Sequence, residues 1–165
     1  MISITDVNSM DLRGFAAAFG DVAEHSPWVA KAAAAARPFA SREAMIAAFE
    51  QALRSASHDM QLLLIREHPD LAGRAKLTAD SQNEQKGAGL DTLTADEFAR
   101  FTSLNDAYKA RFGFPFIFAV KGATKHQILE SFEKRVHNGK DDEFAMALSQ
   151  VLRIFRFRLE DRVEA

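Results

Sequence analysis

Apolar residues recur along this chain at intervals of three and four with polar residues between them, a period that predicts one amphipathic helix after another. Leu12, Phe15, Ala16 and Phe19 predict a helix between Ser9 and Gly20, where the glycine ends it. Ser26-Pro27 reads as an N-cap followed by proline at the first helical position, opening an alanine-rich helix from Trp28 to Arg37 that Pro38 stops. Ser41 caps a helix with the stripe Met45, Ala48, Phe49, Ala52 and Leu53, and Ser57 caps the next, whose apolar run ends at His68. Pro69 to Asp80 reads as a loop, after which Ser81, Gln82, Asn83 and Glu84 have the form of a capping box. A second capping box, Thr94 to Glu97, introduces a long helix with Phe98, Phe101, Leu104, Tyr108 and Phe112 inward and Gly113 at its end. Thr124 to Gln127 caps a helix carrying Ile128, Leu129, Phe132 and Val136 that ends at Asn138-Gly139. The final helix, from about Asp142, aligns Phe144, Leu148, Val151 and Phe155. Helical stepping puts Arg158 on the inner edge of that face and Arg153 outside it.

One stretch breaks the period. Phe114 to Val120 is strongly apolar, contains Pro115 and reads as extended, yet no second strand is available to pair with it. The fold predicted is therefore all-α, a single compact domain over residues 1–165 of about eight helices with one extended segment near 114–120. Buried backbone N–H and C=O groups of that segment need partners, either a polar ligand or helix side chains and water. Taken alone, the segment favours the second alternative.

With 165 residues the chain is long enough for one domain and one substantial core. Its 21 basic and 23 acidic residues are interspersed and leave a net charge of −2, which speaks against a nucleic-acid surface. The lack of cysteine removes disulfides, thiol nucleophiles and thiolate metal sites. The five histidines show no metal-ligand spacing, so no metal site is expected. Gly87-Ala88-Gly89 lacks the strand and the lysine of a phosphate loop, and there is no Gly-x-Ser-x-Gly elbow. The N-terminus has no signal-peptide pattern, no run reaches membrane-spanning length and the C-terminus is not a peroxisomal address, so the expectation is a cytoplasmic protein without a membrane partner.

What remains is acid/base and hydrogen-bonding chemistry, or no catalysis. Proline disfavours helix in the residue before it, so Pro69 sets His68 at a helix exit. A histidine there can exchange protons near neutral pH, or simply face the negative end of the helix dipole, and the octapeptide from Arg66 to Gly73 by itself favours the dipole. Ser81, Glu84 and Arg158 complete the set that can build a polar pocket; capping accounts equally for the first two, and snorkelling or a buried partner for the third.

Eight motifs in order, Glu24 to Ala30, Arg37-Pro38-Phe39, His68-Pro69-Asp70-Leu71-Ala72-Gly73, Ser81-x-x-Glu84-Gln85, Gly89-Leu90-Asp91, Leu104-Asn105-x-x-Tyr108, Phe112 to Ile117 and Arg158-Leu159-Glu160-Asp161, resemble the 2-oxo-4-hydroxy-4-carboxy-5-ureidoimidazoline (OHCU) decarboxylase family. The resemblance implies an all-helical homodimer that uses no cofactor and converts a small ureidoimidazoline to (S)-allantoin in urate degradation. It puts the catalytic histidine on His68. It puts substrate contacts on Pro69, on Ser81, Gln82, Asn83, Glu84 and Gln85, on Phe116, Ile117, Phe118, Ala119 and Val120, and on Arg158.

Overall fold

Small polar side chains open most of the helices: Ser3, Asp11, Ser41, Ser57, Thr78, Thr94 and Thr124 each accept a hydrogen bond from an amide of the first turn. The computed structural model describes residues 1–73 and 77–165. Its helices are α1 (Ile4–Ser9), α2 (Leu12–Phe19), α3 (Trp28–Ala34), α4 (Arg42–Arg54), α5 (His58–Arg66), α6 (Ala79–Gly87), α7 (Ala95–Phe112), α8 (Lys125–Arg135) and α9 (Lys140–Arg162). Among the described residues there is no sheet, only an isolated bridge between Ile2 and Val163, so the fold is all-α as predicted. No helix among them is long and apolar enough to cross a membrane. The chain forms two compact units, Met1–Glu67 with Leu152–Ala165, and His68–Val151.

In the first unit α3 packs on α2 and α4. The buried residues Ala30, Ala33 and Ala34 are small enough to allow that close packing. The ring of Phe15 meets those of Phe19, Phe39 and Phe49, and Phe49 meets Phe155 edge-on. Two expectations change here. Leu12, counted in the apolar stripe, is exposed at the first position of α2. Ser26 does not cap α3; its N–H donates to Ala23 O in a preceding turn, Pro27 takes the N-cap position, and no side chain caps the helix.

The second unit is centred on α7, whose capping box of Thr94 and Glu97 is formed as predicted and whose end is turned by Gly113 at φ 77°, a left-handed conformation natural to glycine. Glu97 also binds Lys125 Nζ at 2.8 Å, and these donors hold its carboxyl down at about 2. Phe101, Tyr108, Phe112, Phe114, Phe116 and Phe132 form the aromatic core, with Phe116 stacked on Phe132 at a centroid distance of 3.9 Å. Phe98 does not belong to that seam. It is 37 % exposed and shares a different face of α7 with Thr102 and Asn105, four and seven residues on.

Further boundaries shift. α6 starts at Ala79, capped by Thr78 rather than Ser81, because a threonine cap there adds a turn of helix; Ser81 becomes the donor of the capping bond through its N–H. α8 ends at Arg135, before the predicted Asn138-Gly139, and α9 begins at Lys140. Arg74, Ala75 and Lys76, part of the predicted loop, lie outside the described residues.

Candidate active site

His68 stands where the sequence places it, two residues beyond α5 and before Pro69, which is half-buried and non-helical. The histidine is itself half-buried, and its Nε2 is shut off from solvent. The residues that follow form a tight turn, closed by Gly73 N–H donating to Asp70 O at 3.3 Å. Ala72 holds φ 55° there, a left-handed conformation that a residue with a Cβ adopts only when its surroundings impose it. A Cβ at Gly73 would meet Asp70 Cβ at 3.0 Å, so any larger residue would have to push Asp70 aside by a few tenths of an ångström.

α6 brings three of its five candidates to one side. Ser81, Glu84 and Gln85, spaced three and four apart, are buried or half-buried, whereas Gln82 and Asn83 are exposed. Gln82 turns its amide to Leu77 O at 3.3 Å. Gln85 Oε1 accepts the N–H of Ala72 at 3.1 Å, which ties α6 to the turn after His68.

The segment 115–120 lies outside helix and strand, as its loss of helical periodicity implies, and helix side chains satisfy two of its backbone groups. Ala119 N–H donates to Gln150 Oε1 at 3.0 Å, and Ile117 O accepts from Arg135 Nη1 at 2.8 Å. Phe116, Ile117, Ala119 and Val120 are buried and Phe118 is half-buried. Arg135 places its guanidinium 4.4 Å from the centre of the Phe116 ring and donates through Nε to Glu143 Oε1 at 2.8 Å. Glu143, 0 % exposed, also accepts from Tyr108 OH at 2.6 Å and from Asn138 Nδ2 at 3.1 Å. The floor of the extended segment is thus a buried ionic network.

Burial, reinforced by the Glu143 carboxylate, pushes the Tyr108 hydroxyl far above its ordinary pKa of 10.0. A raised pKa contributes stability in full below pH 10.0, and that contribution is lost as the pH climbs toward the folded-state value. Tyr108 is the only tyrosine in the chain, so its ultraviolet titration reads this group alone. We expect no tyrosinate absorbance until the protein unfolds; ionisation near pH 10.0 in native protein would show a hydroxyl in contact with water.

In the other unit Arg158 is 3 % exposed, donates to Val22 O at 3.1 Å and has its second terminal nitrogen 3.7 Å from Glu24 Oε2, itself 1 % exposed. It is a buried, paired arginine rather than a snorkelling one.

The family model for OHCU decarboxylase matches residues 8–160, across both units. This chain belongs to the OHCU decarboxylase family. It is 41 % identical to the 2-oxo-4-hydroxy-4-carboxy-5-ureidoimidazoline decarboxylase of Haloferax volcanii, with 98 % of this chain and 96 % of the relative covered. It is 40 % identical to the uric acid degradation bifunctional protein PucL of Bacillus subtilis, covering 98 % of this chain but 33 % of the relative. A solved structure of (S)-allantoin synthase superposes with a TM-score of 0.83 at 32 % identity over 99 % of this chain, which spans about half (54 %) of that solved chain.

Residues that periodicity passed over carry much of this family member's geometry. The apolar periodicity singles out none of Glu143, Gln150 and Arg135, and Glu24 stands in a motif without an assigned role. Asn105 lies within the Leu104-Asn105-x-x-Tyr108 motif, with Thr102, Ser103 and Asp106 around it, so nothing in the local pattern marks it as buried.

Proposed function

We propose that His68 carries the proton transfer in the reaction this chain catalyses, the decarboxylation of OHCU to (S)-allantoin in urate degradation. The bond between the ring carbon and the carboxylate breaks, CO2 leaves, and the bonding pair passes into the ring, where a proton must meet it on one face. An imidazole suits this because it gives and takes protons near neutral pH. The observation that carries the assignment is the place of His68, at a helix exit, in a turn held from α6, with one ring nitrogen out of solvent.

Ser81, Glu84 and Gln85 supply hydrogen-bonding groups for the ureido and ring N–H and C=O functions from the inner side of α6. Backbone groups of Phe116 to Val120 that remain after Arg135 and Gln150 have taken theirs can hold the ring, and Pro69 shapes the same turn. The family resemblance supports Arg158 as the receptor of the substrate carboxylate, and its ion pair with Glu24 supports a guanidinium of fixed orientation. The resemblance also supports a cytoplasmic homodimer and peripheral contacts from Gln82 and Asn83.

The test generates OHCU in place from urate with urate oxidase and hydroxyisourate hydrolase and follows circular dichroism. Added protein should give a rapid (S)-allantoin signal whose initial rate rises linearly with enzyme concentration. Slow decay to an optically inactive product at every concentration would refute the assignment.

A further inference from the structure

Asn105 is 6 % exposed on α7, on the face it shares with Phe98 and Thr102. Its Nδ2 donates to Leu71 O at 3.0 Å in a buried hydrogen bond. Among the described residues its Oδ1, also buried, has no hydrogen-bond partner. A buried amide with one unsatisfied oxygen is a net burden on stability, since the unpaired group pays its desolvation in full. What the asparagine supplies against that cost is its bond to Leu71 O, a buried carbonyl that an apolar side chain at this position would leave without a donor.

That use is visible in the turn after His68. Three consecutive residues of it are held from outside: Asp70 by Lys109 Nζ at 2.7 Å, Leu71 by Asn105, and Ala72 by Gln85 at 3.1 Å. The three holds are unequal. The Lys109–Asp70 pair is partly exposed, where solvent screens an ion pair and leaves it little net worth, and the Gln85 bond is only partly buried. The Asn105 bond is buried, and water does not compete for it. It acts on the residue next to Ala72, whose left-handed backbone must be imposed by its surroundings, and Pro69 restricts the chain between this turn and His68.

We propose that Asn105 is a positioning residue for His68: its buried bond to Leu71 O fixes the 70–73 turn on α7 and so sets the direction of the imidazole. This rests on His68 being the acid/base of the reaction. Proton transfer demands placement within hydrogen-bond reach, and a shift of about 1 Å can cost about 100-fold in rate.

The test compares Asn105→Leu with wild type. The leucine removes the unsatisfied oxygen but leaves Leu71 O without its donor, so a thermal melt accompanies each assay and rates are taken per folded molecule. Its kcat should fall by about tenfold or more while KM changes less than about threefold, because the binding groups are kept and the proton-transfer geometry is lost. The His68 imidazole resonances in a nitrogen-15 spectrum should move. A second variant, Asn105→Asp, retains shape without the donor and should show the same split between kcat and KM per folded molecule. Wild-type kcat in folded Asn105→Leu, or a decline that merely tracks the unfolded fraction in both variants, would overturn the proposal. If His68→Ala is inactive while Asn105→Leu is fully active, only the positioning role fails; if His68→Ala turns over normally, the acid/base role fails and this inference with it.

Discussion

His68→Ala should lower the rate of (S)-allantoin formation by about 10²–10⁴-fold, the range over which a positioned acid/base contributes. That corresponds to about 3–5 kcal/mol of transition-state stabilisation. Substrate affinity should change little, because the groups assigned to hold the ring and the ureido arm lie on α6 and the extended segment. The fold should survive, because the histidine is half-buried in a turn that Asn105, Gln85 and Lys109 hold independently of its side chain. A melting temperature lower by no more than a few degrees, together with lost turnover, is the expected pair of results. His68→Gln sharpens the comparison by keeping a hydrogen-bonding side chain that cannot titrate; it should be as inactive as the alanine variant. A strongly destabilised His68→Ala protein with normal turnover per folded molecule would assign the histidine to structure.

Glu143→Ala should have the largest effect on stability. The glutamate is fully buried, and it takes hydrogen bonds from Tyr108, Arg135 and Asn138. Removing it leaves the Arg135 guanidinium, also buried, without its counter-charge, and breaking a buried pair in this way costs about 3–5 kcal/mol. A domain stable by about 5–15 kcal/mol then loses a large part of its margin. At about 2–4 °C per kcal/mol for a chain of this size, the melting temperature should fall by roughly 10 °C. Activity should fall with it, because Arg135 also holds Ile117 O in the extended segment assigned to the substrate. A loss below about 1 kcal/mol in a thermal melt would mean that water replaces the carboxylate, contrary to its burial.

The contrast between these two residues shows how much of the site the chain's own pattern discloses. The helix-exit position of His68, though not its role, is legible because its signal is local: an apolar helical run, then a histidine, then a proline that prevents the helix from continuing. Ser81, Glu84 and Gln85 are legible by motif, although the local pattern misjudged why they are there. Two threefold spacings, Thr78 to Ser81 and Ser81 to Glu84, both suit a cap, and the helix uses the earlier one. Glu143 is illegible in the same sense, because on a helix pattern a glutamate beside two aspartates is an ordinary acidic first turn. Its meaning lies in Tyr108, 35 residues away in the chain.

The sequence by itself determined the all-helical class, most of the caps, the long α7 with its glycine stop and the one apolar stretch that is not helical. Each follows from residues within a turn or two of one another, where spacing and backbone preference act directly. Only the tertiary structure decided what satisfies the extended segment. Gln150, 31 residues from Ala119, and Arg135 take two of its backbone groups, and a polar group's partner across such a distance leaves no trace in periodicity. It likewise decided that Arg158 is paired with Glu24, and that Asn105 reaches the turn after His68. In each case the choice belongs to burial: once water is excluded, a polar side chain must find whatever partner the packing brings to it.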